Sequence, residues 1–247
     1  MPETLYRAGT WETVRAEIRE SPSRMGGAQG LLLVAAFLAG LGVWLPWRMG
    51  FEILDPFLQL VYACLAPLFQ QRITVESFAE DKNRRMLEGW WEPPCPQPEF
   101  LLGKLLATAI IGWVGALATQ AAVFLTLRQV HGQGNWILPD ASFLAAVTAI
   151  GAAFSLFTAC AGAALALRVQ TPAEARKSTR GMFLAFLALL AIFGPYAPVF
   201  LKGWVGSRFL PENLPWTAAL AVAAPLVASW VLWRANLRRI EMARQVC

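Results

Sequence analysis

Charged residues are scarce in this chain of 247 residues. Asp, Glu, Lys and Arg make up 15% of it, whereas about a quarter of an ordinary soluble domain is charged. Hydrophobic residues make up 57%. So few polar residues cannot cover the outside of a soluble domain of this size. The composition therefore excludes soluble enzymes and disordered chains, and it favours a membrane protein.

Histidine and paired cysteines are also lacking. The single histidine, His131, lies in a predicted loop beside two glycines. The four cysteines, at 64, 95, 160 and 247, share no metal-ligand or redox spacing, which excludes a disulfide scaffold. The sequence contains no G-x-x-x-x-G-K-[ST] phosphate-binding loop. We therefore predict no catalytic residues, no metal site and no enzyme activity on this chain.

Six apolar blocks dominate what is present. They span residues 28–47, 53–71, 100–127, 141–167, 181–200 and 216–233. Each is long enough, as a helix, to cross about 30 Å of hydrocarbon. Continuous apolar runs without a two-residue alternation favour helices over a barrel. The sequence predicts an all-α polytopic membrane protein, with six transmembrane helices in one domain over residues 28–235.

The positive charges indicate the orientation. Of the Lys and Arg residues, 17 lie in the two termini and the second and fourth loops, and 4 lie in the other three loops. Cytoplasmic loops carry the excess of Lys and Arg. Both termini, residues 1–27 and 236–247, are therefore predicted to be cytoplasmic. Dispersed in this way, the basic residues fit membrane topology and do not indicate a nucleic-acid partner.

Two further segments are predicted to lie at the membrane surface. Trp11, Val14 and Ile18 form an apolar stripe among charges, which is typical of an amphipathic interfacial helix; a solvated helix is the alternative. Pro195 and Pro198 end the fifth helix. The apolar stretch that follows, 199–216, is too short to span, so we predict a re-entrant or interfacial element on the outer side.

The cytoplasmic loop over residues 72–99 has the most informative pattern. It begins with a charged, helix-forming stretch and continues with Trp90, Trp91 and a proline-rich turn. Two adjacent tryptophans are not expected to face the cytosol. They either lie among lipid headgroups or fill an apolar pocket on a partner protein.

In this loop the chain resembles the ABC-2-type transporter permeases, the six-span membrane subunits of ATP-driven exporters. Their loop has Glu-Arg, then Leu-Glu, then a proline, and Gly-Lys nine residues later at the start of the third span. Here Asp81-Lys82, Leu87-Glu88, Pro94 and Gly103-Lys104 stand at those positions without a gap. The family's threonine is replaced by Met86, and its leucines after Glu88 by Gly89-Trp90-Trp91.

The resemblance implies a mechanical function. In such permeases the loop contains a coupling helix that docks on a separate cytoplasmic ATPase, which holds ATP and Mg; this chain itself would need no cofactor. A second permease copy, identical or paralogous, would complete the transporter in the bacterial inner membrane. The expected docking residues are Glu80, Asp81, Arg84, Arg85, Leu87, Glu88, Trp90 and Trp91.

The transport path is expected, by the same resemblance, along the second and fifth blocks. Gln59, Tyr62 and Tyr196 are polar exceptions in a mostly apolar lining, which favours export of an amphipathic or lipid-like substrate. The alternative is a structural or assembly subunit of a larger membrane complex. That alternative would leave the charged loop without a function.

Overall fold

The computed structural model describes residues 10–24, 32, 35–36, 39–83, 98–132, 139–168, 174, 177 and 214–246. In these residues all regular structure is helical and no strand occurs, which confirms the all-α prediction for this part of the chain. In chain order the elements are α1 (Thr10–Arg24), a π-helical turn (Ala39–Trp44), α2 (Leu45–Met49), a 3-10 turn (Gly50–Leu54), α3 (Pro56–Asn83), α4 (Pro98–Val130), α5 (Ala141–Ala166) and α6 (Leu214–Val246).

Three of the described helices are long and apolar enough to cross a membrane: Glu99–Val130, Ala141–Ala166 and Ala218–Arg238. They correspond to the third, fourth and sixth apolar blocks. The second block lies in α3, which is not among the three candidate membrane-spanning helices. α3 contains three buried glutamines, Gln59, Gln70 and Gln71. The fifth block, 181–200, and the predicted re-entrant residues 199–213 lie outside the described residues.

Two helices extend beyond their apolar blocks. α3 continues past Gln71 to Asn83, so the first part of the predicted loop is helical. α6 continues through the segment predicted as a C-terminal tail to Val246. The added residues include Glu, Lys, Arg, Met and Ala, which favour helix without being apolar. An apolar block therefore indicates the part of a helix that can lie in lipid, not the full helix.

The end of the first block is not a regular α-helix. From Ala39 the chain forms a π-helical turn, the short α2 and a 3-10 turn. Gly40 and Gly42 weaken helix formation, and Pro46 supplies no backbone N–H. The described part of the predicted first span, 28–47, is therefore helical but not a regular α-helix throughout.

α3, α4 and α5 pack against one another as the centre of the bundle. α3 runs antiparallel to α4, since Gln70 meets Gly112 and Ser77 meets Lys104. A Cβ added at Gly112 would overlap the side-chain oxygen of Gln70. Small residues let helix backbones approach closely in membranes, and here they give the polar side chains of α3 room between α4 and α5.

α6 packs along α5 on one side only. Asn236 Nδ2 donates a hydrogen bond of 3.3 Å to the Cys160 carbonyl of α5, and Asn236 is buried. Leu232 and Trp233 pack against the apolar cluster at the same end of the bundle. Several large apolar side chains of α6 are exposed in the single chain: Trp216, Leu220, Leu226, Val227, Trp230 and Val231.

Candidate functional site

Helix α1 lies directly against the beginning of α4 at Gly103. A Cβ added at Gly103 would lie 2.7 Å from the Thr10 carbonyl oxygen and 2.7 Å from Thr13 Cβ. Real Cβ atoms do not approach other atoms this closely, and the first contact is to backbone, which cannot rotate away. Glycine at this position therefore allows α1 to contact α4.

The next residue, Lys104, is fully buried and ion-paired. Its Nζ lies 3.0 Å from Glu17 Oε1 of α1, and the two side chains are 0% and 4% exposed. Lys104 Nζ also donates to Ser77 Oγ of α3 at 3.1 Å. Ser77 Oγ in turn donates to Glu17 Oε2 at 3.3 Å. One residue from each of three helices thus contacts the other two.

Two aromatic rings complete the surroundings of the ammonium. Lys104 Nζ lies 5.3 Å from the ring centroid of Phe78 and 5.4 Å from that of Phe100, within the range of cation–π attraction. We call Glu17, Ser77, Phe78, Phe100 and Lys104 the Lys104 cluster. A buried unpaired ammonium would cost several kcal/mol; the carboxylate, the hydroxyl and the rings offset that cost.

The Lys104 cluster is surrounded by apolar side chains of the bundle. Phe78 and Phe100 belong to a buried apolar cluster with residues of α3, α4 and α5. Its other buried members are Val75, Ala79, Leu101, Leu105, Ala109, Ala159, Cys160, Ala163 and Ala166. Electrostatic interactions are stronger in such low-dielectric surroundings than in water. The ion pair and the hydrogen bonds of Ser77 therefore join three helices at one point.

The cluster flanks the predicted docking segment on both sides. Ser77 and Phe78 precede the end of α3 at Asn83, and Phe100 and Lys104 follow the start of α4 at Pro98. The segment between the two helices is 84–97. Its predicted residues, Arg84, Arg85, Leu87, Glu88, Trp90, Trp91 and Pro94, lie outside the described residues.

The two remaining docking residues, Glu80 and Asp81, lie in the last turn of α3. The structure describes their backbone alone. Gly103 and Lys104, which the family resemblance marked as the start of the third span, both contact α1. The sequence did not indicate α1 as their partner helix.

Glu17 and Ser77 were missed by the sequence analysis. The predicted stripe on α1 divides in the structure: Val14 is buried, whereas Trp11 is 60% and Ile18 is 40% exposed. The face that packs is more polar, because Thr13, Glu17 and Ser21 are buried with Val14. Polar residues at a spacing of four on a helix form one face, and this signal could have indicated a buried polar contact.

Two of the predicted path residues have partners inside the chain. Gln59 Nε2 donates to the Ile53 carbonyl at 2.9 Å, and Tyr62 Oη donates to the Leu41 carbonyl at 3.1 Å. Both side chains are almost fully buried in the single chain. Tyr196 lies outside the described residues. A path lined by these three residues stays a prediction.

A second polar contact lies near the middle of the bundle. Gln70 Nε2 of α3 donates to the Ser155 carbonyl of α5 at 3.3 Å. Its Oε1 atom faces the glycine surface of α4 at Gly112. Ser155 Oγ donates to the Gly151 carbonyl of its own helix. These contacts join helices and bring together no acid–base or nucleophilic pair.

His131 lies at the opposite end of α4 from the Lys104 cluster. Its Nε2 is 3.3 Å from the Trp47 carbonyl oxygen, and its ring is 5.8 Å from that of Phe51. Among the described residues, no three His, Cys, Asp or Glu side chains converge in a way that could hold a metal ion.

Comparison with known proteins adds no identification. No protein-family model matches the chain, and no curated protein matches it. In its described residues the protein is all-helical. Three of the described helices are long and apolar enough to cross a membrane.

Proposed function

We propose that this chain is the membrane-spanning permease subunit of an ATP-binding cassette exporter. In this proposal six helices span the bacterial inner membrane, both termini and residues 84–97 are cytoplasmic, and residues 199–216 are re-entrant or interfacial. The substrate is amphipathic or lipid-like. The observation that carries the proposal is the Lys104 cluster, which joins α1, α3 and α4 at the base of segment 84–97.

The cluster supports the proposal because force transmission requires a rigid base. A partner that pushes on segment 84–97 moves the membrane helices only if both flanking helices are fixed to each other. The contacts of Lys104 of α4 with Ser77 and Phe78 of α3 supply that attachment. A purely structural subunit has no need of a rigid base beneath a charged segment.

The partner in this proposal is a separate cytoplasmic ATPase, which holds ATP and Mg. Trp90 and Trp91 are the apolar anchors of the docking segment, and the charges around Glu88 guide association. Aromatic anchors dominate the binding free energy of many interfaces, while charges at the rim affect the rate and salt dependence. A second permease copy completes the transporter.

Docking is tested with an ABC-type ATPase, which we expect to be encoded in an adjacent reading frame. We expect Trp90→Ala or Trp91→Ala to weaken ATPase binding about thirtyfold, as for loss of a hot-spot contact of about 2 kcal/mol. Glu88→Lys should weaken it more at low salt than at high salt. Binding to membrane vesicles and vesicle-stimulated ATP hydrolysis are the measurements.

Trp216→Ala is the matched control, because Trp216 is an exposed tryptophan on α6, a helix that does not flank the docking segment. It should leave ATPase binding unchanged. Wild-type binding by Trp90→Ala, Trp91→Ala and Glu88→Lys together would place docking elsewhere. If the wild-type chain neither binds nor stimulates the ATPase, the assembly-subunit alternative replaces the proposal.

The proposed orientation is tested by labelling single cysteines from outside the cell in a cysteine-free variant. Gln133→Cys and Gly206→Cys should react with a membrane-impermeant maleimide, because both fall in predicted loops that are poor in positive charge. Asn83→Cys, at the end of α3, should react only after the membrane is opened. Outside labelling at Asn83→Cys would contradict the orientation.

A further inference from the structure

The Lys104 cluster includes α1, which the sequence does not connect with the docking segment. We infer that Lys104 and Glu17 are positioning residues that attach α1 to both helices flanking segment 84–97, so that α1 moves with this segment and takes part in transmitting the ATPase's motion. This inference rests on the proposed function. It adds α1 and two residues to the part of the chain that transmits force.

Polar contacts, the ion pair among them, are a large part of what attaches α1. Among the described side chains of α1, Val14 is the buried apolar one; the other buried side chains are Thr13, Glu17 and Ser21. Ser21 Oγ donates to the Ile18 carbonyl of its own helix at 2.8 Å, so that hydrogen bond does not join α1 to the bundle. One apolar side chain buries too little area to hold a helix in place.

The geometry requires the three helices to move together. Glu17 uses one carboxylate oxygen for Lys104 and the other for Ser77, at 3.0 and 3.3 Å. Lys104 reaches Ser77 at 3.1 Å. A shift of α1 against α3 or α4 by about one ångström would lengthen these contacts beyond the roughly 2.7–3.2 Å typical of hydrogen bonds. It would also weaken the pairing of two buried charges, which is unfavourable in apolar surroundings.

The contact at Gly103 fixes where the attachment occurs. Thr10 and Thr13 lie over the Cα of Gly103, one residue before Lys104. This contact places Glu17, one helical turn after Thr13, beside Lys104. The exposed side of α1, with Trp11, remains available to lipid or solvent.

The test compares single and double removal of the ion pair in the permease–ATPase complex in lipid vesicles. The variants are Glu17→Gln, Lys104→Met and the double variant Glu17→Met/Lys104→Met. Glu12→Gln is the matched control, because Glu12 is an exposed carboxylate on the same helix. The readouts are amide hydrogen exchange over residues 10–24 with α5 as the internal reference, ATPase binding, and stimulation of ATP hydrolysis by transport substrate.

Each single variant leaves one buried charge without its partner. We expect exchange in α1 to accelerate about tenfold or more while exchange in α5 is unchanged. Substrate-stimulated hydrolysis should fall about tenfold, while ATPase binding stays within about threefold, because the docking residues are unaltered. The double variant removes both charges and replaces them with apolar side chains, which is often close to neutral. It should recover slow α1 exchange and coupled hydrolysis together.

Three results would overturn the inference. The first is unchanged α1 exchange in both single variants, which would mean that the ion pair does not attach α1. The second is faster α1 exchange with full coupling, which would make α1 merely structural. The third is a double variant with slow α1 exchange that stays uncoupled. Where Lys104→Met is not recovered from membranes, Glu17→Gln, which keeps the shape of the side chain, and the double variant decide.

Failure of the proposed function gives a different pattern. If the wild-type chain shows no ATPase binding and no stimulated hydrolysis, the transmission function of α1 falls with the proposed function. The hydrogen-exchange comparison of Glu17→Gln with Glu12→Gln still decides whether the ion pair attaches α1, because it needs no ATPase.

Discussion

The two ends of α4 are attached to the rest of the chain by different interactions. Near its start, Lys104 is held by a carboxylate, a hydroxyl and two aromatic rings. Near its end, Leu127 packs with Ile53 and Tyr62 in an apolar cluster. There Thr126 Oγ1 also donates a hydrogen bond of 3.0 Å to the Gly42 carbonyl. Both ends bury apolar side chains, and a buried ion pair lies at the first of the two.

This difference determines how each end responds to displacement. Apolar contacts are non-directional and individually small, so side chains can exchange one apolar neighbour for another during a small shift. A buried ion pair is costly to separate, because separation leaves both charges in apolar surroundings. We therefore expect the start of α4 to resist displacement more strongly than its end. A device that transmits force is expected to be rigid where the force enters.

The largest expected effect is at the charged end. Lys104→Met leaves Glu17 buried without its cation, and we expect a loss of about 3–5 kcal/mol in the free energy of unfolding. Arg48→Met, which removes an exposed cation near the other end of α4, should change it by no more than about 0.5 kcal/mol. Thermal unfolding of the detergent-purified chain measures both.

Equal effects of these two variants would contradict the comparison of the ends. They would mean that the apolar cluster around Val75 and Leu105 holds this end of the bundle together without help from Lys104. The effect of Lys104→Met should also persist in high salt, because buried pairs are screened much less than exposed ones.

A smaller effect is expected where α1 approaches α4. Gly103→Ala would place a methyl group 2.7 Å from the Thr10 carbonyl oxygen, and we expect a loss of about 1–3 kcal/mol from overpacking. Gly40→Ala is the matched control, because nothing lies within 4 Å of the position its Cβ would take. Limited proteolysis within residues 1–24, together with thermal unfolding, checks whether α1 is released.

A stable Gly103→Ala chain with protected α1 would show that α1 can shift along α4 without losing its attachment. Glycine at position 103, near the start of α4, would then not be required. The ion pair between Glu17 and Lys104 would remain as the reason for the position of α1.

The helical class of the described residues could be predicted because it depends on long apolar runs. The third, fourth and sixth blocks became α4, α5 and α6 within a few residues at their first ends. The later ends of α3 and α6 could not be predicted in this way. Residues such as Glu80 and Arg238 are unfavourable in lipid but favourable in a helix. Hydropathy therefore indicates where the apolar part of a helix ends, whereas the helix itself continues.

The Lys104 cluster was beyond prediction for a different reason. Ser77 is 27 residues from Lys104 and 60 residues from Glu17 along the chain. No local pattern brings such residues together; the packing of α1 against α4 at Gly103 does. The sequence singled out Gly103 and Lys104 by a resemblance alone, and in the structure both residues contact α1.

The smallest effect is expected at the apolar end of α4. Thr126→Val keeps the shape of the side chain but removes its hydrogen bond to the Gly42 carbonyl, and hydrogen bonds between membrane helices contribute about 0.6 kcal/mol on average. Thr119→Val is the matched control, because Thr119 Oγ1 donates to the Gly115 carbonyl of its own helix. We expect Thr126→Val to lower the unfolding free energy by about 0.5–1 kcal/mol more than Thr119→Val. Chemical denaturation in mixed micelles is sensitive enough when the two variants are measured side by side. A loss at Thr126→Val as large as that at Lys104→Met would mean that the two ends of α4 are equally rigid, and the distinction between a charged and an apolar attachment would have no mechanical consequence.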